Sequence, residues 1–167
     1  MPLSNVNKTI DLIDVEKIVK MIPHRYPMLL IDKVVDIVLD QSAIGIKNVT
    51  ANENFFTGHF PSKMVMPGVL MIESMAQTCA VLVIETLGAK AEGSLVYFMS
   101  VDGGKFRRPV IPGDQLKLHV DKIRNRSNVW KFKCMGYVED ELVTEATISA
   151  MIMADNKWVV IYIALLL

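Results

Sequence analysis

The sequence predicts an α+β fold in which a curved, mostly antiparallel sheet wraps one long buried helix. Three observations predict it. Residues 68–87 carry apolar side chains on nearly every helical face, and a helix apolar nearly all round is buried on most sides. Almost everything after residue 94 is rich in β-branched residues, and Leu116, Leu118 and Val120 alternate with Lys117, His119 and Asp121, the two-residue period of a half-buried strand. These strand stretches follow one another across short turns without helices between them, which favours antiparallel pairing.

Each element has its own signal. Val15, Ile18, Val19 and Ile22 fall at i, i+3, i+4, i+7, so a first helix begins near Asp14 and Pro23 stops it. Stretches 29–38 and 43–49 are β-branched and read as strands, joined by a turn at Leu39-Asp40-Gln41-Ser42. Residues 52–67 change character, with Gly58, Pro61 and Pro67 as breakers. A loop that long inside a compact domain is often functional. The central helix follows, with Pro67 suited to its first turn and Gly88 to its C-cap; at 1.5 Å per residue it is about 30 Å long. Strands are expected over 94–107, 116–121, 128–138 and 142–154, separated by turns at 110–114, 125–127 and 139–140. Gly103-Gly104 reads as an isolated turn.

The 167 residues suit a single domain over 1–167. Eighteen basic and eighteen acidic side chains cancel, so no global field holds nucleic acid or an anionic membrane. Cys79 and Cys134 lie in apolar runs with no metal or redox spacing and read as buried, reduced thiols. Acidic residues interrupt the N-terminus where an export signal needs an apolar core, so a cytoplasmic protein is expected. The last ten residues, 158–167, are all apolar, half of the roughly twenty a bilayer span requires. They read as a terminal strand or a sticky tail.

The most informative residue is Glu73, a carboxylate one turn inside the apolar helix, with Gln77 at i+4 on the same face. Burial raises such a carboxyl's pKa unless it has a partner; the alternative is a structural carboxylate capping a loop amide. His59 sits in the Gly58-His59-Phe60-Pro61 turn of the long loop. An imidazole beside a desolvated carboxyl is an acid–base couple. Pro67-Gly68 opens a helix whose free amides, next to a residue with no side chain, can polarise a carbonyl oxygen. His24 reads as structural and His119 as solvent-facing. No metal motif, dinucleotide fingerprint or phosphate loop is visible, so neither a metal nor a cofactor is expected.

Four segments, PHRYPMLLID at 23–32, GHFP at 58–61, MPGVLMIESMAQ at 66–77 and KFRRPVIPGD at 105–114, together resemble the bacterial 3-hydroxyacyl-(acyl-carrier-protein) dehydratases of the FabZ type. The resemblance spans about residues 12–155 in consistent order. It implies the hot-dog fold, dimers assembled as trimers of dimers, and dehydration of 3-hydroxyacyl thioesters to trans-2-enoyl thioesters in fatty-acid elongation. It further implies that His59 removes the α-proton and that Glu73, from the other protomer, helps the 3-hydroxyl leave. The Gly68 amide would hold the thioester carbonyl and Gln77 would orient Glu73. Related dehydratase-isomerases carry aspartate at the Glu73 position, so glutamate favours plain dehydration.

Tyr97 or Phe98 would gate the acyl tunnel, against the plainer reading of both as packing. Lys105, Arg107 and Arg108 form the densest basic cluster and would dock an acidic acyl carrier protein, against the plainer reading of a solvated strand end. Two rival functions remain open: an acyl-CoA thioesterase, which would not need the GHFP histidine, and a non-catalytic acyl-thioester sensor, in which His59 or Glu73 would be lost.

Overall fold

The computed structural model describes residues 8–153. Seven strands, β1 (Thr9–Asp14), β2 (Lys33–Val38), β3 (Ser42–Asn48), β4 (Leu95–Phe106), β5 (Gln115–Arg126), β6 (Val129–Val138) and β7 (Glu141–Met153), form one antiparallel sheet in the order β1-β2-β3-β5-β6-β7-β4. Two α-helices, α1 (Val15–Met21) and α2 (Gly68–Leu87), complete the regular core, with short 3₁₀ turns at Asn54–Thr57 and Ala89–Ala91. The apolar stretch 158–167 lies outside the described residues.

Alternation decides which face of the sheet is covered. Leu116, Leu118 and Val120 on β5 are fully buried, as are Phe132 and Cys134 on β6 and Ile148 on β7. They meet α2, whose buried side includes Met71, Met75, Cys79, Leu82 and Ile84. The helix lies against β2, β3, β5, β6 and β7. By length and composition α2 is apolar enough to cross a membrane, but here the sheet covers it. Contact is close because Gly45 on β3 has no side chain where Thr78 of α2 approaches. Cys79 and Cys134 are free and buried, with Sγ atoms 3.7 Å apart; burial pushes the Cys79 thiol well up.

The sheet bends through irregularities in its ladders. Register shifts occur between Val35 and Val38, Lys122 and Arg124, Phe98 and Ser100, and Asp102 and Lys105, and each extra residue sharpens the local twist. Gly103-Gly104 is thus no isolated turn. Gly103 adopts φ +63° within β4, so the chain bulges and the strand continues, which alternation alone does not reveal.

Other boundaries moved for local reasons. Residues 29–32 are not part of β2, because the Leu30 amide bonds the Gln77 side chain instead of a neighbouring strand. Pro67 caps α2 from outside at φ −58°, ψ 132°, with its carbonyl accepting from the Leu70 and Met71 amides. Strand β1 carries no alternating signal, because it is an edge strand with mostly exposed residues. Asp14 ends it and caps α1 by accepting from the Lys17 amide at 2.9 Å.

Candidate active site

Glu73 projects from α2 into a narrow cavity of about 60 Å³, walled by Ala76, Ala80, Val96, Phe98 and Ala150. The walls are apolar because the start of β4 and the end of β7 line the cavity opposite α2. Burial alone would raise the carboxyl's pKa. Hydrogen bonds from His24 and Gln77 and the charge of His24 oppose that effect and hold Glu73 below its usual range. Gln77 Nε2 donates to Glu73 Oε1 at 2.9 Å, as the i+4 spacing allows. The same amide donates to the Met28 carbonyl at 2.7 Å and accepts from the Leu30 amide at 2.9 Å. His24 Nε2 lies 3.2 Å from Glu73 Oε1. The partner of Glu73 that sequence reasoning missed is therefore His24. Its only signal was a polar imidazole directly after the apolar face of α1 had ended.

His59 occupies a second place on the surface. Its loop is stapled by the Val65 amide to the His59 carbonyl at 3.0 Å and by the Met66 amide to the Val110 carbonyl at 2.8 Å. His59 Nδ1 lies 2.6 Å from the Val65 carbonyl oxygen. A carbonyl can only accept, so Nδ1 carries a proton, and in the neutral ring Nε2 is the nitrogen able to take one up. Phe60 stacks on the ring at 4.0 Å between centroids. His59, Gly68, Phe106, Arg107 and Arg108 line an open cleft of about 450 Å³.

Gly68 begins α2, where the first amides have no acceptor within the helix. A Cβ added there would sit 2.8 Å from the Phe106 ring, so glycine lets the cleft close tightly around the helix start. His59 and Glu73 thus open into different cavities of one chain. Neighbouring strand residues face opposite sides: Phe98 walls the Glu73 cavity and Tyr97 does not.

The basic cluster is not a set of free charges. Lys105 Nζ and Arg107 Nη2 both contact Glu145 Oε1, at 2.9 and 2.8 Å, and hold that carboxyl below its usual range. Arg108 lies 2.9 Å from Glu141 and 3.7 Å from Asp114. His119 is half-buried, its ring meeting Tyr137 edge-on at 5.0 Å. Burial, opposed by Asp121, holds its pKa low. Among the described residues no group of histidine, cysteine and carboxylate side chains has the arrangement of a metal site.

Comparison with known proteins decides the family. A family model described as a FabA-like domain matches residues 22–147. The 3-hydroxyacyl-(acyl-carrier-protein) dehydratase FabZ of Rhodospirillum rubrum is 61% identical over 144 residues, covering 86% of this chain and 90% of the relative. That of Gluconobacter oxydans is 67% identical over 141 residues, covering 84% and 83%. The chain belongs to the FabZ-type dehydratases. The FabZ-type chain is accordingly a dehydratase enzyme.

Solved structures of low identity share its fold. The dehydratase heterocomplex ApeI:P from Xenorhabdus doucetiae superposes with a TM-score of 0.71 at 15% identity, covering 87% of this chain and 96% of that one. The uncharacterized protein PH1136 from Pyrococcus horikoshii gives 0.60 at 16% identity, covering 78% and 88%. The FabZ-type architecture here is the hot-dog fold expected from the motifs.

Proposed function

We propose that this enzyme acts in the cytoplasm on 3-hydroxyacyl chains carried by acyl carrier protein. It removes water to give trans-2-enoyl chains in fatty-acid biosynthesis, with His59 and Glu73 supplied by different protomers of a homodimer. The observation that carries this reading is that each residue sits in an incomplete site of its own chain. The Glu73 cavity, at about 60 Å³, is far below the roughly 300–1,000 Å³ of a ligand pocket. The His59 cleft is large but has no carboxylate among its lining residues. A second chain would supply the missing half of each. Strand β4 favours such a partner, being a sheet edge with Phe98, Met99, Val101 and Phe106 exposed. Trimers of dimers are part of the same reading.

In the shared site, His59 Nε2 takes the proton from C2 and the C–H electrons form the new double bond. The C3–O bond breaks as Glu73, protonated once the bound chain desolvates it, gives that proton to the leaving oxygen, which departs as water. The proton taken by His59 Nε2 then passes through solvent back to Glu73 and resets the pair. The thioester oxygen gains negative character meanwhile, and the Gly68 amide donates to it. A bound acyl chain displaces the water that still reaches Glu73, raising its hold on a proton. No cofactor takes part. Arg107 and Arg108, on the rim of the His59 cleft, together with Lys105 would exchange their internal carboxylate partners for those of an acidic carrier. Phe98 or Tyr97 would gate the acyl chain.

Co-expression of His59→Ala with Glu73→Ala tests the reading, with enoyl absorbance as the readout. Each homodimer should be nearly inactive. In a mixed dimer both lesions fall in one site and the other is intact, so random pairing should restore about a quarter of wild-type sites. Verified mixed dimers with no activity would overturn it. Release of free thiol in place of enoyl product would indicate a thioesterase.

A further inference from the structure

Two nitrogens meet one oxygen in the Glu73 cavity. Gln77 Nε2 and His24 Nε2 lie 2.9 and 3.2 Å from Glu73 Oε1, while Oε2 has no hydrogen-bond partner among the described residues. Both donors are anchored. Gln77 is fixed by Met28 and Leu30 of the loop that follows His24. The His24 backbone is fixed by Arg25, whose guanidinium donates to the carbonyls of Val19, Ile22 and His24 at 2.7, 2.9 and 2.6 Å.

The His24 ring is held less comfortably. Its Nδ1 is buried with no hydrogen-bond partner among the described residues, which is costly for a polar atom. A carboxylate oxygen accepts and does not donate, so Nε2 is assigned a proton. The ring thus tolerates an unsatisfied nitrogen while directing its donor at Glu73.

We infer that His24 is a positioning residue for the dehydration: with Gln77 it fixes Glu73 by Oε1, so that Oε2 alone is presented to the substrate's 3-hydroxyl. The inference rests on the assignment of Glu73 to that hydroxyl. It separates the two oxygens of one carboxylate into a held atom and a working atom, with misplacement by about 1 Å worth roughly 100-fold in rate. Among the described residues His24 is the only other titratable group lining this cavity. In the shared site proposed above, the partner's His59 faces it across the substrate.

The test compares His24→Leu, His24→Asn, His24→Gln and Glu73→Gln on a 3-hydroxyacyl carrier protein, measuring kcat, KM and the pH profile of kcat. His24→Leu should lose about 100-fold in kcat with KM little changed. The limb of its profile that reports Glu73 should move to higher pH, because burial is then opposed by Gln77 alone. His24→Gln, whose amide N–H reaches the same oxygen, should recover most of the rate and return the limb toward its wild-type position. The shorter His24→Asn should not, and it serves in place of His24→Leu if the latter fails to fold. Wild-type kcat in His24→Leu or His24→Asn would overturn the inference. So would equal losses in all three His24 variants with an unmoved limb, the mark of a merely structural ring. Glu73→Gln separates the two levels: if it retains wild-type kcat, the assignment of Glu73 itself fails, whatever His24 does.

Discussion

Lys47 and Glu53 form an ion pair inside the protein, where β3 gives way to the loop that carries His59. Their side chains are 6% and 16% exposed, so neither charge is well solvated. Lys47 also donates to the Asn48 carbonyl at 2.8 Å, and Glu53 Oε2 accepts from the Thr50 amide at 3.0 Å. The pair therefore ties the sheet to the first turn of the loop.

Breaking that pair from one side should be expensive. Glu53→Leu leaves a buried ammonium without its carboxylate and should cost about 3 kcal/mol in urea unfolding. The double variant Lys47→Met/Glu53→Leu removes both charges and should be clearly more stable than the single one. A double variant no better than Glu53→Leu would mean that the pair's charge balance is not what stabilises the loop.

Glu73 should impose an acid dependence on stability. Its folded pKa lies below the usual 4.5, so the unfolded chain takes up this proton first as pH falls. The carboxylate's contribution is then complete at neutral pH and is lost as pH drops from about 4.5 through the folded pKa. Glu73→Gln lacks that contribution at every pH. Urea midpoints at pH 7 and pH 3.5 should show wild type losing its lead over Glu73→Gln on acidification; a constant gap would contradict the depressed pKa.

Gly68→Ala sets two effects against each other. Alanine favours a helix over glycine by up to about 1 kcal/mol, but its Cβ would meet the Phe106 ring at 2.8 Å, and overpacking of that kind costs about 1–3 kcal/mol. A small net destabilisation should result, and Phe106→Leu in the same chain should relieve it. Activity should suffer more than stability, by about 100-fold in kcat, if the displaced amide is the donor to the thioester oxygen. Gly68→Ala with wild-type kcat would remove that amide from the mechanism.

What the sequence revealed depended on how far apart the interacting groups lie along the chain. The bounds of α2 coincide with Gly68–Leu87 because Pro67 and Gly88 punctuate an unbroken apolar run, a purely local signal. The contact of Gln77 with Glu73 is equally local, since helix geometry alone puts i and i+4 side by side. The contact of His24 with Glu73 is not, because a loop held by Arg25 delivers that ring from another element. Strand β1 escaped for a related reason: pairing with β2, not a pattern of its own, makes it a strand. The bulge at Gly103 escaped because a glycine pair looks the same in a turn as in a strand that bends and goes on.

The place of β4 in the sheet has a consequence for how the chain folds as it is made. Among the described residues its only partner is β7, with Leu95 opposite Met153 and Phe106 opposite Thr144. Strands β5, β6 and β7 must therefore emerge before β4 can dock. Until then its row of aromatic and aliphatic side chains stays exposed on a nascent, unpaired segment. Slow translation or crowding on the ribosome should thus penalise this protein at the synthesis of β7, when the ladder that will cover β4 is still pending.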